Sequence, residues 1–520
     1  MQGIIRLEND LMLRDVARGV AKNTGVLLVQ QFITMTSGIL LLIFIPRYLG
    51  PEEFGRFYLA TSITGIFAMF VSFGSNYYIA KEVVRAPGST GQILVDSLAA
   101  RFMFALLSVG AIVLLCEILG YQGEQRTVIL IFSASLLVLA GTNTLYACYQ
   151  GHERLSYTSY GAVAERVSIG VLTIPLLLLG AGAREVAAVC VFGVLLNFLV
   201  LAFKARTIVP SVPRVQWQGV RNQVVHGVPY FLLSVFGVVY YRLDSIMLSK
   251  MTPEKIVGFY GGAYRLFESL NIPYLLGIAV YPVLARYWKD SSDIHQRMVI
   301  KSLEVVIIAA IPVTIATIFF ASNIISLFYG LKAYGETVIL LQALSAGIVF
   351  LYVDMILATA LIAADKQRSL AVISFLAILF NVGLNMLLIP WFQNAYADGA
   401  IGSAIATGIT EMCIMVFSAG LLPRSIRSSF RWGLVGKTLA AGCAMSGSIL
   451  LLPGAIPWII RVGLSLVTYC GVLWLMKPLE PGEDRFLRDQ ASAAVRTLSS
   501  RFRKISPAAA PAETLQRDGS

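Results

Sequence analysis

The sequence is short of charge. Aspartate, glutamate, lysine and arginine make up 13% of its 520 residues, against 57% hydrophobic residues and a mean hydropathy of +0.75. A soluble globule of this length needs far more polar surface, because a folded chain exposes much of its own area to water. Acidic residues are scarcer than basic ones, 29 against 41, which leaves a net charge of +12. That excess does not make a nucleic-acid binder, because the Lys and Arg residues are scattered through short loops rather than gathered in one block. A basic rim facing anionic lipid accounts for them. Histidine is nearly absent: His152, His226 and His295 are far apart, which speaks against a zinc site. The six cysteines (Cys116, Cys148, Cys190, Cys413, Cys443, Cys470) lie in apolar stretches without a C-x-x-C pair, so they read as small apolar residues rather than disulfides or metal ligands. There is no Walker loop, no H-E-x-x-H, no G-x-S-x-G and no dinucleotide fingerprint. No internal loop is large enough for an ATP-driven motor domain, so energy for any work comes from an ion gradient or from consumption of substrate on one side.

What the sequence has is long apolar runs. Roughly 20 apolar residues are needed to cross a bilayer as helix. Such runs fall near 24–48, 57–80, 93–119, 127–149, 157–180, 185–203, 227–249, 256–284, 300–326, 337–363, 369–391, 399–422, 433–453 and 456–476. This predicts an all-α polytopic membrane protein with about 14 transmembrane helices. With the N-terminus inside, the inner segments collect about 28 of the 41 basic residues and the outer loops about 7. Both termini are therefore expected in the cytoplasm, the chain lying in the inner (cytoplasmic) membrane. Residues 1–23, with apolar positions among Arg6, Arg14, Arg18 and Lys22, suggest an amphipathic segment on the membrane surface. Residues 477–520 form a cytoplasmic tail, in which 484–504 suggest a second surface helix and the Pro/Ala-rich end suggests disorder.

An internal repeat groups the spans. Pro51-Glu52 is followed by Phe57-Tyr58, and Pro253-Glu254 is followed at identical spacing by Phe259-Tyr260. Each segment joins two spans, and six spans separate the copies, so both lie on one face of the membrane. A parallel repeat relates its halves by an axis along the membrane normal. The expected organisation is an N-lobe at 24–203, an inter-lobe cytoplasmic loop at 204–226, a C-lobe at 227–422 and two appended helices at 433–476.

Ionisable groups at membrane depth are costly and usually face the bundle interior or water. At about 100° per residue, Gln30, Thr34 and Ser37 share a face of span 1, and Thr61, Thr64, Ser72, Ser75 and Asn76 share one on span 2. Tyr241 and Ser245 line span 7, flanked by Arg242 and Asp244; Tyr264, Glu268 and Asn271 line span 8, with Arg265 beside them. Helix–helix hydrogen bonding explains the Ser and Thr residues, whereas the charged group favours a wet cavity between the lobes. Arg265 and Glu268 also have i, i+3 spacing for a local pair, and Arg101 and Lys437 have the stems to snorkel to an interface.

Three stretches carry a family resemblance. Arg47-Tyr48-Leu49-Gly50-Pro51-Glu52-Glu53-Phe54-Gly55-Arg56-Phe57 resembles the first loop of the polysaccharide-biosynthesis flippases. Asp244-Ser245-Ile246-Met247-Leu248, then Val257-Gly258-Phe259-Tyr260 and Ala263-Tyr264-Arg265-Leu266, is similar to their span 7–8 region. Asn385-Met386-Leu387-Leu388-Ile389-Pro390 and Gly399-Ala400-Ile401-Gly402-Ser403-Ala404-Ile405-Ala406-Thr407 resemble their approach to span 12. The resemblance covers roughly residues 20–475 and implies membership of the multidrug/oligosaccharidyl-lipid/polysaccharide (MOP) exporter superfamily. It implies two pseudo-symmetric six-helix lobes in a V around a central cavity, alternating access, and a cargo of undecaprenyl-pyrophosphate-linked oligosaccharide moved from the cytoplasmic to the outer leaflet. The chain resembles this branch more than the peptidoglycan lipid II flippases, because its span 1 lacks buried charges.

Such a cargo needs a polar cleft, since a glycan and its pyrophosphate lose their water in hydrocarbon. Arginine suits pyrophosphate because its fork is always charged and binds two oxygens. Arg242 and Arg265 are therefore the expected anion contacts in the cavity, with Lys81 and Arg85 at its cytoplasmic mouth. Gln30, Gln31, Asn76, Tyr241, Tyr264 and Asn271 are the expected sugar contacts. Glu268, Asp244 and Glu411 are candidates to carry a coupling H+ or Na+; no cofactor, metal or catalytic residue is implied. Expected partners are membrane lipids, the lipid-linked oligosaccharide, a glycan polymerase and glycosyltransferases, and no nucleic acid. Two alternatives stay open: an ion-coupled multidrug exporter of the same superfamily, and a membrane glycan polymerase or ligase, whose usual large outer loop is absent from the sequence.

Overall fold

A computed structural model describes the backbone at 2–209, 213–271, 273–290 and 292–477, with side chains from Val26 onward save Leu28 and a few positions near 230 and 290. The amphipathic character expected of 1–23 rests on side chains outside those described, and the tail helix at 484–504 lies outside the described residues. The described chain is all helix, with no strand. It divides into two compact units at Phe430.

The first unit begins with α1 (Gln2–Ser72), α2 (Asn76–Arg85), α3 (Thr90–Ile118), α4 (Gly123–Gly151), α5 (Leu155–Leu178) and α6 (Ala183–Ala205). It continues with α7 (Trp217–Met251), α8 (Glu254–Ser269), α9 (Pro273–Asp290), α10 (Ser292–Phe328), α11 (Leu331–Tyr334), α12 (Thr337–Ala346), α13 (Ile348–Ala363), α14 (Gln367–Tyr396), α15 (Gly399–Gly420) and α16 (Arg424–Ser429). The second unit is a helical hairpin, α17 (Trp432–Leu451) packed on α18 (Trp458–Leu475), joined through Pro453 and Pro457. Within it, Arg461 Nη2 donates to the Ile449 carbonyl at 2.7 Å and Lys437 Nζ to the Lys477 carbonyl at 3.1 Å.

Among the described residues, ten stretches are long and apolar enough to cross a membrane, or up to twelve if each bent pair is one span. Val29–Arg85 counts once in that number, and α7, whose side chains are described only in part, is not in it. The all-α multi-pass fold is thus present, while the sequence count of fourteen exceeds the number these residues establish.

Where the sequence pattern suggests continuous spans, the structure breaks several. The turn expected between the first two spans is only a kink inside α1: Gly50 takes φ 73 and ψ 170, so the helix bends there and restarts on Pro51, whose missing N–H is tolerated at a helix start. The second span stops at Phe73 and Gly74, both with positive φ (43 and 64), and resumes as α2. The eighth is split into α8 and α9, bent by 41°, and the tenth into α12 and α13, bent by 44° beside Gly347. Broken helices at membrane depth need other groups to satisfy their free backbone, and are tolerated inside protein or along a cavity.

The first half packs α3, α4, α5 and α6 around α1; the second packs α10, α12, α13, α14 and α15 together. The halves meet where α1 crosses α8. In lipid, apolar burial gives little drive to helix association, and small residues that let backbones approach take its place. The crossing shows this. A Cβ on Gly258 would collide with the Pro51 carbonyl, and one on Gly55 with the Glu254 carbonyl. The two copies of the repeat therefore pack directly on each other. Around them Phe54, Phe57, Tyr58, Phe259, Tyr260 and Tyr264 form one buried cluster drawn from both halves.

Helix α7 contacts both halves. Its early turns lie on the first half: Gly227 abuts the Phe73 carbonyl, Phe231 stacks on Phe73 at 4.7 Å, and Gln223 Nε2 donates to Ser97 Oγ at 2.7 Å. Its later turns pack on α14 and α15.

Candidate functional site

On the face that carries the two Pro-Glu turns, the halves are latched by charge. The Arg56 guanidinium reaches Glu254 Oε2 at 2.6 Å across the crossing, Glu52 at 2.7 Å and Glu124 at 3.3 Å, and also contacts Glu53. An exposed ion pair is worth roughly 0–1 kcal/mol. Here one side chain only 17% exposed is shared among four carboxylates, which would otherwise repel one another. Tyr334 OH donates to the Pro46 carbonyl at 2.8 Å, Tyr121 OH and Ser249 Oγ are 2.6 Å apart, and Lys250 Nζ reaches the Leu119 carbonyl. Arg56 was not among the residues expected at the site. Its signal was present in the run Glu52-Glu53-Phe54-Gly55-Arg56, which concentrates three charges beside a glycine.

Below the latch lies a cavity of about 330 Å³ lined by residues of α1, α4, α5 and α6 of the first half and by Arg265 of the second. Arg265 lies over the rings of Phe54 and Phe57, 5.1 and 5.3 Å from their centroids, a cation–π seat. Glu165 and Arg166 of α5 line the same cavity, with Thr61. Glu165 accepts from Asn197 Nδ2 at 2.7 Å, and Ser37 Oγ donates to the Arg166 carbonyl at 2.9 Å. Arg242 is not in this lining. It pairs with Glu268 at 3.2 Å, both side chains being partly exposed, so the local Arg265–Glu268 pair allowed by spacing gives way to one between α7 and α8. Tyr264 is buried between Tyr260 and Phe267, whereas Tyr241 and Asn271 are exposed.

A second polar centre sits inside the second half. Asp244 is buried and accepts from Tyr260 OH at 2.9 Å, Asn385 Nδ2 at 2.9 Å and Thr407 Oγ1 at 2.8 Å. Asn385 also donates to Asn381 Oδ1 at 2.8 Å, and one turn along α15 the buried Glu411 accepts from Tyr240 OH at 3.1 Å. Asn385 Oδ1, Ser403 Oγ and Asp354 Oδ1 are buried oxygens without a hydrogen-bond partner. Asp244 itself, a carboxylate held by the neutral groups of Tyr260, Asn385 and Thr407, is suited to a proton or a small hard cation. The partners Asn385 and Thr407 were not singled out as site residues; their links to Asp244 span 141 and 163 positions and no local spacing encodes them.

The remaining expected contacts are dispersed. Gln30 Oε1 accepts from Ser159 Oγ at 2.8 Å, while Gln31 is exposed. Asn76 Oδ1 accepts from Arg101 Nη2 at 2.6 Å. Arg101 does not snorkel: it is 1% exposed and bonds Ser75 and Asn76 where the second span breaks, close to the last carbonyls of α1. Lys81 is exposed on α2, and Arg85 pairs with Glu82 at 3.0 Å. Among the described residues no group of three His, Cys, Asp or Glu side chains gathers to hold a metal.

Broken helices around a charged interior, with two halves meeting at a glycine crossing, define a multi-pass α-helical membrane protein. Residues 20–288 match the family described as polysaccharide biosynthesis protein, and residues 229–387 match the MatE family. The first match spans more than half of the chain, which belongs to the polysaccharide biosynthesis protein family. It resembles the capsular polysaccharide biosynthesis protein CapF of Staphylococcus aureus, with 22% identity over 412 residues covering 76% of this chain and 98% of that one. Its fold resembles that of lipid II flippase MurJ in an inward closed conformation, with a TM-score of 0.70, 15% identity and coverage of 88% of this chain and 99% of the other. It also resembles an inward-facing multidrug resistance MATE transporter of the MOP superfamily, with a TM-score of 0.61, 15% identity and coverage of 77% and 96%.

Proposed function

We propose that this transporter moves a lipid-linked oligosaccharide from the cytoplasmic to the outer leaflet by alternating access. The observation that carries the reading is the convergence of Arg265 and Arg166, one from each half, on a single cavity in a chain of the polysaccharide biosynthesis family. Two guanidinium groups suit the two phosphates of a pyrophosphate link. Glu165 and Asn197 beside them offer acceptors and donors for hydroxyl groups. Arg242, already matched by Glu268, is a weaker anion contact, and Tyr241, Asn271, Gln31 and Lys81 remain available to a glycan through their exposure. Taking the charge bias as the guide to orientation, both termini are cytoplasmic and the Arg56 latch closes the outer side of the inner membrane. A glycan polymerase and glycosyltransferases would then act on either side of this step.

Energy for the cycle is proposed to enter at Asp244. A sodium ion or proton there would neutralise a buried carboxylate and change its hold on Tyr260, Asn385 and Thr407, and so the packing of α7 on α14 and α15. Glu411 and Glu268 are the next candidates.

The test is complementation of a strain lacking this gene. Arg166→Ala with Arg265→Ala should abolish surface glycan while the protein remains in the membrane at its normal level; undiminished export would overturn the pyrophosphate assignment. The MatE match over 229–387 favours a second reading, export of organic cations. Binding of cationic dyes in preference to lipid-linked glycan would select it.

A further inference from the structure

Another cavity lies away from the charged interior. It is a groove of about 550 Å³ between α3, α4 and α6. Leu98 and Phe102 of α3, Val138 of α4, Leu195 and Phe198 of α6, and Val215 from the connector between α6 and α7 contribute to it, and every lining residue is apolar or glycine. The floor exists because α4 has Gly141 there: a Cβ at that place would run into the Phe198 ring. The walls are not core. Leu98, Phe102, Leu195 and Val215 are 37–45% exposed, as expected of a surface facing hydrocarbon.

One end of the groove is built differently. The connector is tied to α3 on both sides of Val215: Gln92 Nε2 donates to the Arg214 carbonyl at 3.0 Å, and the Gln216 N–H donates to Asp96 Oδ1 at 2.7 Å. Asp96 is buried, is braced by Gln92 at 2.9 Å, and faces Gly219, where α7 leaves room for it. Val215 is thereby held as the end wall, and the Arg214 side chain beside it is exposed. Arg206 and Arg221, also exposed, flank the same connector. Such charges belong at the level of lipid head groups rather than in hydrocarbon.

We infer that this groove is a binding site for an anionic phospholipid of the surrounding bilayer, with an acyl chain lying along α3, α4 and α6 and the phosphate on Arg214. The wholly apolar lining of the groove suits a hydrocarbon chain, and the exposed arginine at its connector end supplies the charge complement. The bound lipid is separate from any transported cargo. Because Val215 belongs to the connector joining the two halves, the lipid also props that connector against α3.

The full-length protein, purified in detergent and examined by native mass spectrometry and thermal unfolding, tests this with added phosphatidylglycerol, phosphatidylcholine or undecaprenyl phosphate. One phosphatidylglycerol should be retained per chain, about fivefold more tightly than phosphatidylcholine, the factor one basic residue near an anionic head group supplies. Arg214→Gln should erase that preference while leaving weaker, charge-independent retention. Leu98→Trp, which fills the groove from an exposed wall, should lose retention of both lipids while keeping the wild-type elution volume and Tm without lipid. Equal retention of the two phospholipids, or an unchanged preference in Arg214→Gln, would overturn the inference as ordinary lipid contact. Retention unchanged in a folded Leu98→Trp protein would place the lipid elsewhere. Displacement of phosphatidylglycerol by undecaprenyl phosphate at lower concentration would reassign the groove to an isoprenoid chain.

Discussion

The two copies of the Pro-Glu segment differ at the position that matters most. Where the first copy carries Arg56, the second carries Gly258, each five residues beyond its proline. Gly258 lets the Pro51 carbonyl come against its own backbone, and Arg56 reaches through that crossing to Glu254. A second arginine in place of Gly258 would hold the backbones apart. The asymmetry continues inward, where the second half has Asp244 at the repeat position that Leu42 occupies in the first. One half thus supplies the cation that latches the turn face, and the other supplies the buried anion.

Breaking the crossing has the largest expected effect. Gly258→Leu forces the backbones of α1 and α8 apart, at a cost of about 3 kcal/mol or more, and export should be lost together with a clear fall in Tm of the purified protein. Replacing the buried anion comes next. Asp244→Ala leaves Tyr260, Asn385 and Thr407 without their acceptor and should remove about 2–3 kcal/mol. Asp244→Asn retains one acceptor oxygen, enough for Tyr260 and Thr407 but not also for Asn385, so it should lose less stability than Asp244→Ala while transport loses its response to an imposed ion gradient. A response that persisted in Asp244→Asn would move coupling to Glu411 or Glu268.

The latch itself is a smaller term. Arg56→Ala should reduce export about tenfold, in line with the loss of one charge-assisted contact, and should raise labelling of a cysteine introduced beside Glu254. Arg56→Lys should recover only part, because an ammonium lacks the fork that spans several carboxylates. Unchanged labelling in Arg56→Ala would show that the glycine crossing closes this face without the charge. The smallest effect is expected outside the crossing: Arg85→Ala breaks an exposed i, i+3 pair with Glu82 and should change export less than about twofold in the complementation assay.

Much of this arrangement was legible in the sequence. The apolar runs disclosed the membrane fold, and the repeat marked the two segments that prove to touch. Asp244 and Arg265 stood out because a charge inside an apolar run is rare. The breaks were harder to read. Asn271 and Pro273 at least punctuate the eighth span, but Phe73-Gly74-Ser75 sits in an apolar run whose hydropathy is the same for a straight helix and a broken one. Arg166 was visible as a charge in span 5 but not as a companion of Arg265, since 99 positions separate them and their meeting depends on how α5 and α8 both pack against α1. Periodicity reports which face of a helix is polar; it does not report which other helix that face will meet.

Helix α7 has the means to make the halves report to each other. Its 35 residues amount to roughly 50 Å of helix, fastened toward its N-terminal end to α3 through Gln223 and further along to Phe73 through Phe231, and toward its C-terminal end to α14 and α15 through the buried carboxylate of Asp244. A rod clamped at both ends cannot stay indifferent when its supports move apart. Either one clamp slips or the rod bends, and the work done in doing so is stored until the supports return. Whatever loosens the Asp244 clamp therefore sets how much force the opposite end must bear, and under the proposed coupling a proton or ion bound in the second half would be felt as tension in the first.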